Sequence, residues 1–127
     1  MIKLIVPSGG PFPLSKAILH NYSDVLEISG QIGVDPKTGI LAEGIEAQTT
    51  QTLQNIKTIL EEVGWSLSNV IKTNVYLSDM SDYTNMNEVY AQYFTKDFPT
   101  RSAFAVKELP RGALIEIECT ACGEYKK

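Results

Sequence analysis

The stretch Ile45–Val63, IEAQTTQTLQNIKTILEEV, decides the fold class. Its Ile45, Thr49, Thr52, Leu53, Ile56, Ile59, Leu60 and Val63 recur three or four residues apart. That spacing lines one side of an α-helix with a single stripe. Gly64 follows at once, in the place where the left-handed conformation that ends many helices favours glycine. A helix with one apolar stripe has to be covered by a second layer. The segments on either side supply it. After the glycine, residues 70–77 read as a strand, and residues 81–95 as a second helix with Met86, Val89, Tyr90, Tyr93 and Phe94 along one side. Asp97-Phe98-Pro99 stops that helix, because proline cannot continue it and restricts the residue before it. Strands over 101–106 and 113–122 close the chain, separated by a turn at Leu109-Pro110-Arg111-Gly112. Before the first helix, 2–6 is a short apolar run that suits an edge strand, and 7–14 is a loop rich in proline and glycine. Residues 15–20 and 24–29 form two strands joined at Asn21-Tyr22-Ser23-Asp24, and Asp35-Pro36-Lys37-Thr38-Gly39 is a further turn.

Two helices among about six strands predict an α+β fold, with both helices on one face of the sheet. Alternation within the strands predicts which residues share a face. Ile71, Thr73, Val75 and Leu77 oppose Lys72, Asn74 and Tyr76; Ile115, Ile117 and Cys119 oppose Glu116 and Glu118; Phe104 and Val106 oppose Arg101, Ala103 and Ala105. The apolar sets should meet the helices. The other face then carries mixed charge, including Arg101 and Glu116. A solvated face accounts for that pattern, and so does a sheet face folded into a subunit interface around a polar site.

Bulk properties narrow the function classes. The 127 residues fit one domain, spanning 1–127, and its composition is that of a globular chain. A formal net charge of −4 without a basic run argues against a nucleic-acid partner. The opening residues are too short for a signal peptide, and no apolar run approaches the roughly 20 residues that span a bilayer. The expectation is a soluble cytoplasmic protein without membrane association. Cys119 and Cys122 form a CxxC pair, but in a strand rather than at a helix start. Positions three apart in a strand point to opposite faces, which is too far for a disulfide. His20 is the chain's single histidine, so a zinc site is not expected, and two reduced cysteines suit the cytosol.

Several segments together resemble the Rid (YjgF-like) family. They are Pro13-Leu14-Ser15-Lys16-Ala17-Ile18; Ser29-Gly30-Gln31-Ile32 followed by Asp35–Gly39; Gln48–Asn55 (QTTQTLQN); Val75–Asp79 (VYLSD); Asn87-Glu88-Val89-Tyr90 with Tyr93-Phe94; Pro99-Thr100-Arg101-Ser102; Leu109-Pro110; and Ile115-Glu116-Ile117-Glu118. Each is weak alone, but their order and spacing over nearly the whole chain are specific. The resemblance implies a chorismate mutase-like mixed sheet, a homotrimer with helices outside, and sites in the clefts between subunits. It implies a 2-iminobutanoate/2-iminopropanoate-type deaminase, a hydrolase that converts reactive enamines and imines to 2-keto acids and ammonia. By the same analogy Arg101 and Glu116 are the catalytic candidates. Arg101, Ser29, Gly30, Asn87 and Leu14 are the substrate-binding candidates, with no metal or organic cofactor.

Those residue types suit that chemistry. A guanidinium can hold the substrate carboxylate through two parallel charge-assisted hydrogen bonds, and so fix the imine carbon for attack by water. Glu116 can position that water and carry protons to the leaving nitrogen. Ser29-Gly30 can line the pocket, and Asn87 can act from behind it. Two positions depart from the family pattern. Leu14 stands where typical deaminating members have a phenol, and it cannot donate a hydrogen bond. Ala103 stands where many members have cysteine two residues after the arginine, which excludes thiol chemistry there. A competing reading keeps the same clefts as a non-catalytic binding module for 2-keto acids. Arg101 serves both readings; only hydrolysis needs the proton shuttle of Glu116.

Overall fold

The computed structural model describes residues 2–127. Its elements run β1 (Lys3–Pro7), β2 (Ser15–His20), β3 (Asp24–Ile32), α1 (Ile45–Glu62), β4 (Val70–Leu77), α2 (Tyr83–Tyr93), β5 (Thr100–Ala105) and β6 (Ile115–Gly123). Six strands form one mixed sheet in the order β1-β2-β5-β4-β6-β3. The parallel pair β4–β5 is joined through α2, the crossover that parallel neighbours require. β6 runs antiparallel to both β4 and β3. The fold is α+β, as the periodicities predict.

The stripe on α1 sinks Leu53, Ile56 and Leu60 against Val75, Leu77, Ile115 and Ile117, all fully buried. Thr49 and Thr52 are buried in the same stripe, and the Thr49 hydroxyl donates to the Ile45 carbonyl one turn back (2.7 Å). The α1 side chains also fasten the loop after β3. Asn55 Nδ2 donates to the carbonyls of Ile32 (3.3 Å) and Val34 (2.9 Å). Gln48 donates to Ala42 (2.9 Å) and accepts from the Leu114 amide (2.8 Å). The second helix is shorter than its 81–95 periodicity suggests: Met80–Asp82 is a 3₁₀ turn, and Phe94 leaves with extended dihedrals. Both cysteines are free and buried. Burial pushes the Cys119 thiol up to about 12, so it is protonated at neutral pH.

The predicted strand faces need two corrections. Ile71 does not join the core, because a bulge between Val70 and Lys72 turns Val70 inward and leaves Ile71 half-buried. The larger correction is β5, whose two faces are exchanged. Arg101 pairs with Thr73, Ala103 with Val75, and Ala105 with Leu77, so Arg101 and Ala103 point toward the helices. Phe104 pairs with Tyr76 on the open face, where it is 48% exposed. Glu116 also pairs with Tyr76. Arg101 and Glu116 therefore lie on opposite faces of the sheet, and an ion pair between them within one chain is excluded.

Candidate functional site

Arg101 is held by one side of α2. Tyr83, Asn87 and Tyr90 stand four and three residues apart, so a single helical stripe faces the guanidinium. Arg101 Nη1 donates to Asn87 Oδ1 (2.7 Å), and Nη2 donates to the Tyr83 hydroxyl (3.0 Å). Its Cζ lies 4.9 Å from the Tyr90 ring centre and 5.6 Å from that of Tyr83, both within cation–π range. The Tyr90 hydroxyl meets Thr73 Oγ1 at 2.8 Å, which fixes that ring. Burial holds the Tyr90 phenol well above its ordinary value, so it stays neutral beside the cation.

The guanidinium is thus braced from behind, yet its donors are not exhausted. Five N–H groups are available on arginine, and the protein engages only one on each Nη. Nε is buried without a partner among the described residues. A buried unpaired donor costs on the order of 1–3 kcal/mol. The edge of the Phe12 ring meets the Tyr83 ring at 5.5 Å, and Phe12 lines a hollow of about 270 Å³ together with Leu14 and Phe98. Leu14 is thereby linked to the Arg101 cluster through two aromatic rings.

The remaining candidates gather on the open face. β3 carries a bulge at Ser29-Gly30, since Ile28 pairs with Cys119 and Gln31 already with Ile117. Gly30 passes directly under the Glu116 carboxylate, and a side-chain carbon there would collide with it. Ser29 is exposed beside Glu118, Asn74, Lys72 and Thr120 around a concavity of about 400 Å³. The two glutamates are not equivalent. Glu118 accepts from Asn74 Nδ2 (3.0 Å) and from the Tyr76 hydroxyl, and these bonds, the Tyr76 one foremost, hold its carboxyl below the usual range. The same bond raises the Tyr76 phenol. Glu116, two residues earlier on the same face, makes no side-chain hydrogen bond among the described residues, so its oxygens are available to water. Gly30→Ala tests this arrangement. The clash falls on the tip of a flexible side chain, so the variant should melt within a few degrees of the wild type in a thermal scan. Its added carbon should nonetheless push the Glu116 carboxylate off the bulge, a displacement that a crystal structure of the variant would show.

The structure brings Arg101 to Asn87, and Glu116 to Gly30, with Ser29 on the same bulge; it does not bring the two groups together. Tyr83 is absent from the candidates read from the sequence, although its place one helical turn before Asn87 is the signal that could have found it. Among the described residues no cluster of three or more His, Cys, Asp or Glu is placed to hold a metal ion. No helix is long and apolar enough to cross a membrane.

The family model described as Endoribonuclease L-PSP matches residues 11–122. A RutC family protein of Pyrococcus horikoshii is 52% identical over 113 residues, covering 88% of this chain and 88% of that protein. The human 2-iminobutanoate/2-iminopropanoate deaminase is 43% identical over 110 residues, covering 86% of this chain and 79% of that protein. Among solved structures, Escherichia coli TdcF with bound serine superposes with a TM-score of 0.76 at 32% identity, over 94% of each chain.

Proposed function

The chain belongs to the Endoribonuclease L-PSP (YjgF/Rid) family, and from that premise we propose that it is a cofactor-independent deaminase hydrolysing small 2-imino acids to 2-keto acids and ammonia. The observation that carries the proposal is Arg101, a braced guanidinium with a buried, unpartnered Nε and further donors to spare. Such a fork recognises a carboxylate in two-point geometry. The name of the human relative and the serine bound by E. coli TdcF agree with a small carboxylate-bearing ligand.

One chain holds the clamp and the carboxylate base on opposite faces, so the complete site requires a second copy. In a homotrimer, each cleft joins Arg101, Asn87 and Tyr83 of one subunit to Glu116, Gly30 and Ser29 of the next. The exposed Phe104, packed edge-on against Tyr76 at 5.4 Å, gives the open face the aromatic character of an interface. In the cleft, Arg101 fixes the carboxylate and with it the plane of the imine. Glu116 takes a proton from a water that adds to the imine carbon, giving a carbinolamine. Returning that proton to nitrogen makes ammonia the leaving group, and the carboxylate thus regenerated takes the hydroxyl proton as the C–N bond breaks and the carbonyl forms. The substrate is already activated as an iminium, so a carboxylate base and a clamp suffice. Free, buried cysteines fit a reducing cytoplasm.

The test couples an amino-acid dehydratase to this protein and follows imine loss. Faster release of 2-keto acid at catalytic protein concentration is the expected result. No acceleration, with a 2-keto acid still raising the melting temperature, would instead make the clefts a carboxylate-binding module.

A further inference from the structure

We infer that Tyr83 touches the substrate itself, its phenolic hydroxyl donating a third hydrogen bond to the carboxylate held by Arg101. The inference rests on the deaminase reading above and adds to it a specificity-determining donor.

Arginine donates and cannot accept, so in the Arg101–Tyr83 contact the phenolic oxygen is the acceptor at 3.0 Å from Nη2. The hydroxyl proton therefore points away from Nη2. No other side chain among the described residues accepts it. Its oxygen lies beside a cation, where the favoured acceptor is an anion bound to the same guanidinium. The ring is not free to swing away. Phe12 packs against it edge-on at 5.5 Å, with 67° between the ring planes, and the guanidinium carbon lies 5.6 Å from its centre. Asn87 fills the other Nη with a carbonyl oxygen, which cannot donate to an anion there. Asn87 keeps its amide N–H groups but turns its oxygen to Nη1, whereas the Tyr83 hydroxyl proton lies directly beside Nη2. The Leu14 side chain, which lines the neighbouring hollow with Phe12, supplies none. Two positive N–H donors and one hydroxyl donor would together favour a carboxylate over an uncharged carbonyl group.

Tyr83→Phe deletes the hydroxyl and keeps the ring, its contact with Phe12 and its place beside the cation. The variant should bind 2-oxobutanoate about tenfold more weakly by calorimetry, with KM raised to match and kcat within about threefold of wild type. A mere loss of support for Arg101 would predict the opposite result for Tyr83→3-fluorotyrosine, a better donor and poorer acceptor. A donor to the anion binds the keto acid as well or better after fluorination; a brace for Arg101 binds it worse. Unchanged affinity in Tyr83→Phe, or weaker binding after fluorination, overturns the inference while a catalytically active wild type leaves the deaminase reading standing. A wild type that neither hydrolyses the imine nor binds 2-oxobutanoate overturns both.

Discussion

Arg101→Ala should lower kcat/KM for imine hydrolysis by roughly three orders of magnitude while the protein remains folded. Two charge-assisted hydrogen bonds to a carboxylate are together worth about 4 kcal/mol, and each 1.4 kcal/mol is a factor of ten. The loss should be split between KM and kcat, because the clamp both binds the carboxylate and sets the attack angle at the imine carbon. Little stability should go with it. The guanidinium carries a buried, unpartnered Nε in the free protein, so removing it also removes that cost. Arg101→Lys keeps the charge but not the planar fork, and should retain only a few per cent of wild-type kcat/KM. Steady-state kinetics beside a thermal melt measures both quantities. An Arg101→Ala enzyme with wild-type kcat/KM would remove the carboxylate clamp from the mechanism.

Glu116→Gln should lower kcat by about 10²- to 10⁴-fold with 2-keto acid affinity nearly unchanged, the range expected for loss of a general base. Glutamine has the same shape over Gly30 and can still hydrogen-bond a water, but it cannot take its proton. Glu118 does not substitute for it. The Tyr76 and Asn74 bonds occupy Glu118 Oε1 and hold its carboxyl ionised, which makes it a weaker base. Single-turnover hydrolysis and calorimetric titration of the keto acid separate the two effects. A variant that loses affinity but not turnover would show that Glu116 is a wall of the pocket.

Much of this arrangement was legible in the residues, and what was not has physical causes. The α1 stripe and the alternation over 70–77 are local signals, and both elements lie within a residue of where the periodicity places them. Alternation also separates Arg101 from Phe104 within β5, but it cannot say which set faces the helices. The rule that apolar residues turn inward selects Phe104, because Ala103 and Ala105 are small. The register against β4, set by the crossover through α2, decides otherwise. A core-side arginine is tolerated here because two tyrosine rings and an asparagine receive it, and those partners lie on a different element. The bulges at Ile71 and at Ser29-Gly30 were likewise invisible, since each depends on the facing strand. The pairing of Arg101 with Asn87 and of Gly30 with Glu116 turns residues grouped by family resemblance into two physical clusters.

Complementation between inactive variants tests the shared site most directly. Arg101→Ala chains keep an intact Glu116, and Glu116→Gln chains keep an intact Arg101. Unfolding an equal mixture and refolding it together should assemble mixed trimers, each with one cleft intact, and recover about a quarter of wild-type activity by random assortment of a closed ring of three. Each variant refolded alone should stay inactive. Recovery to that level is the predicted result; a co-refolded mixture as inactive as its components, while light scattering shows mixed oligomers, would contradict a site built from two copies of the chain.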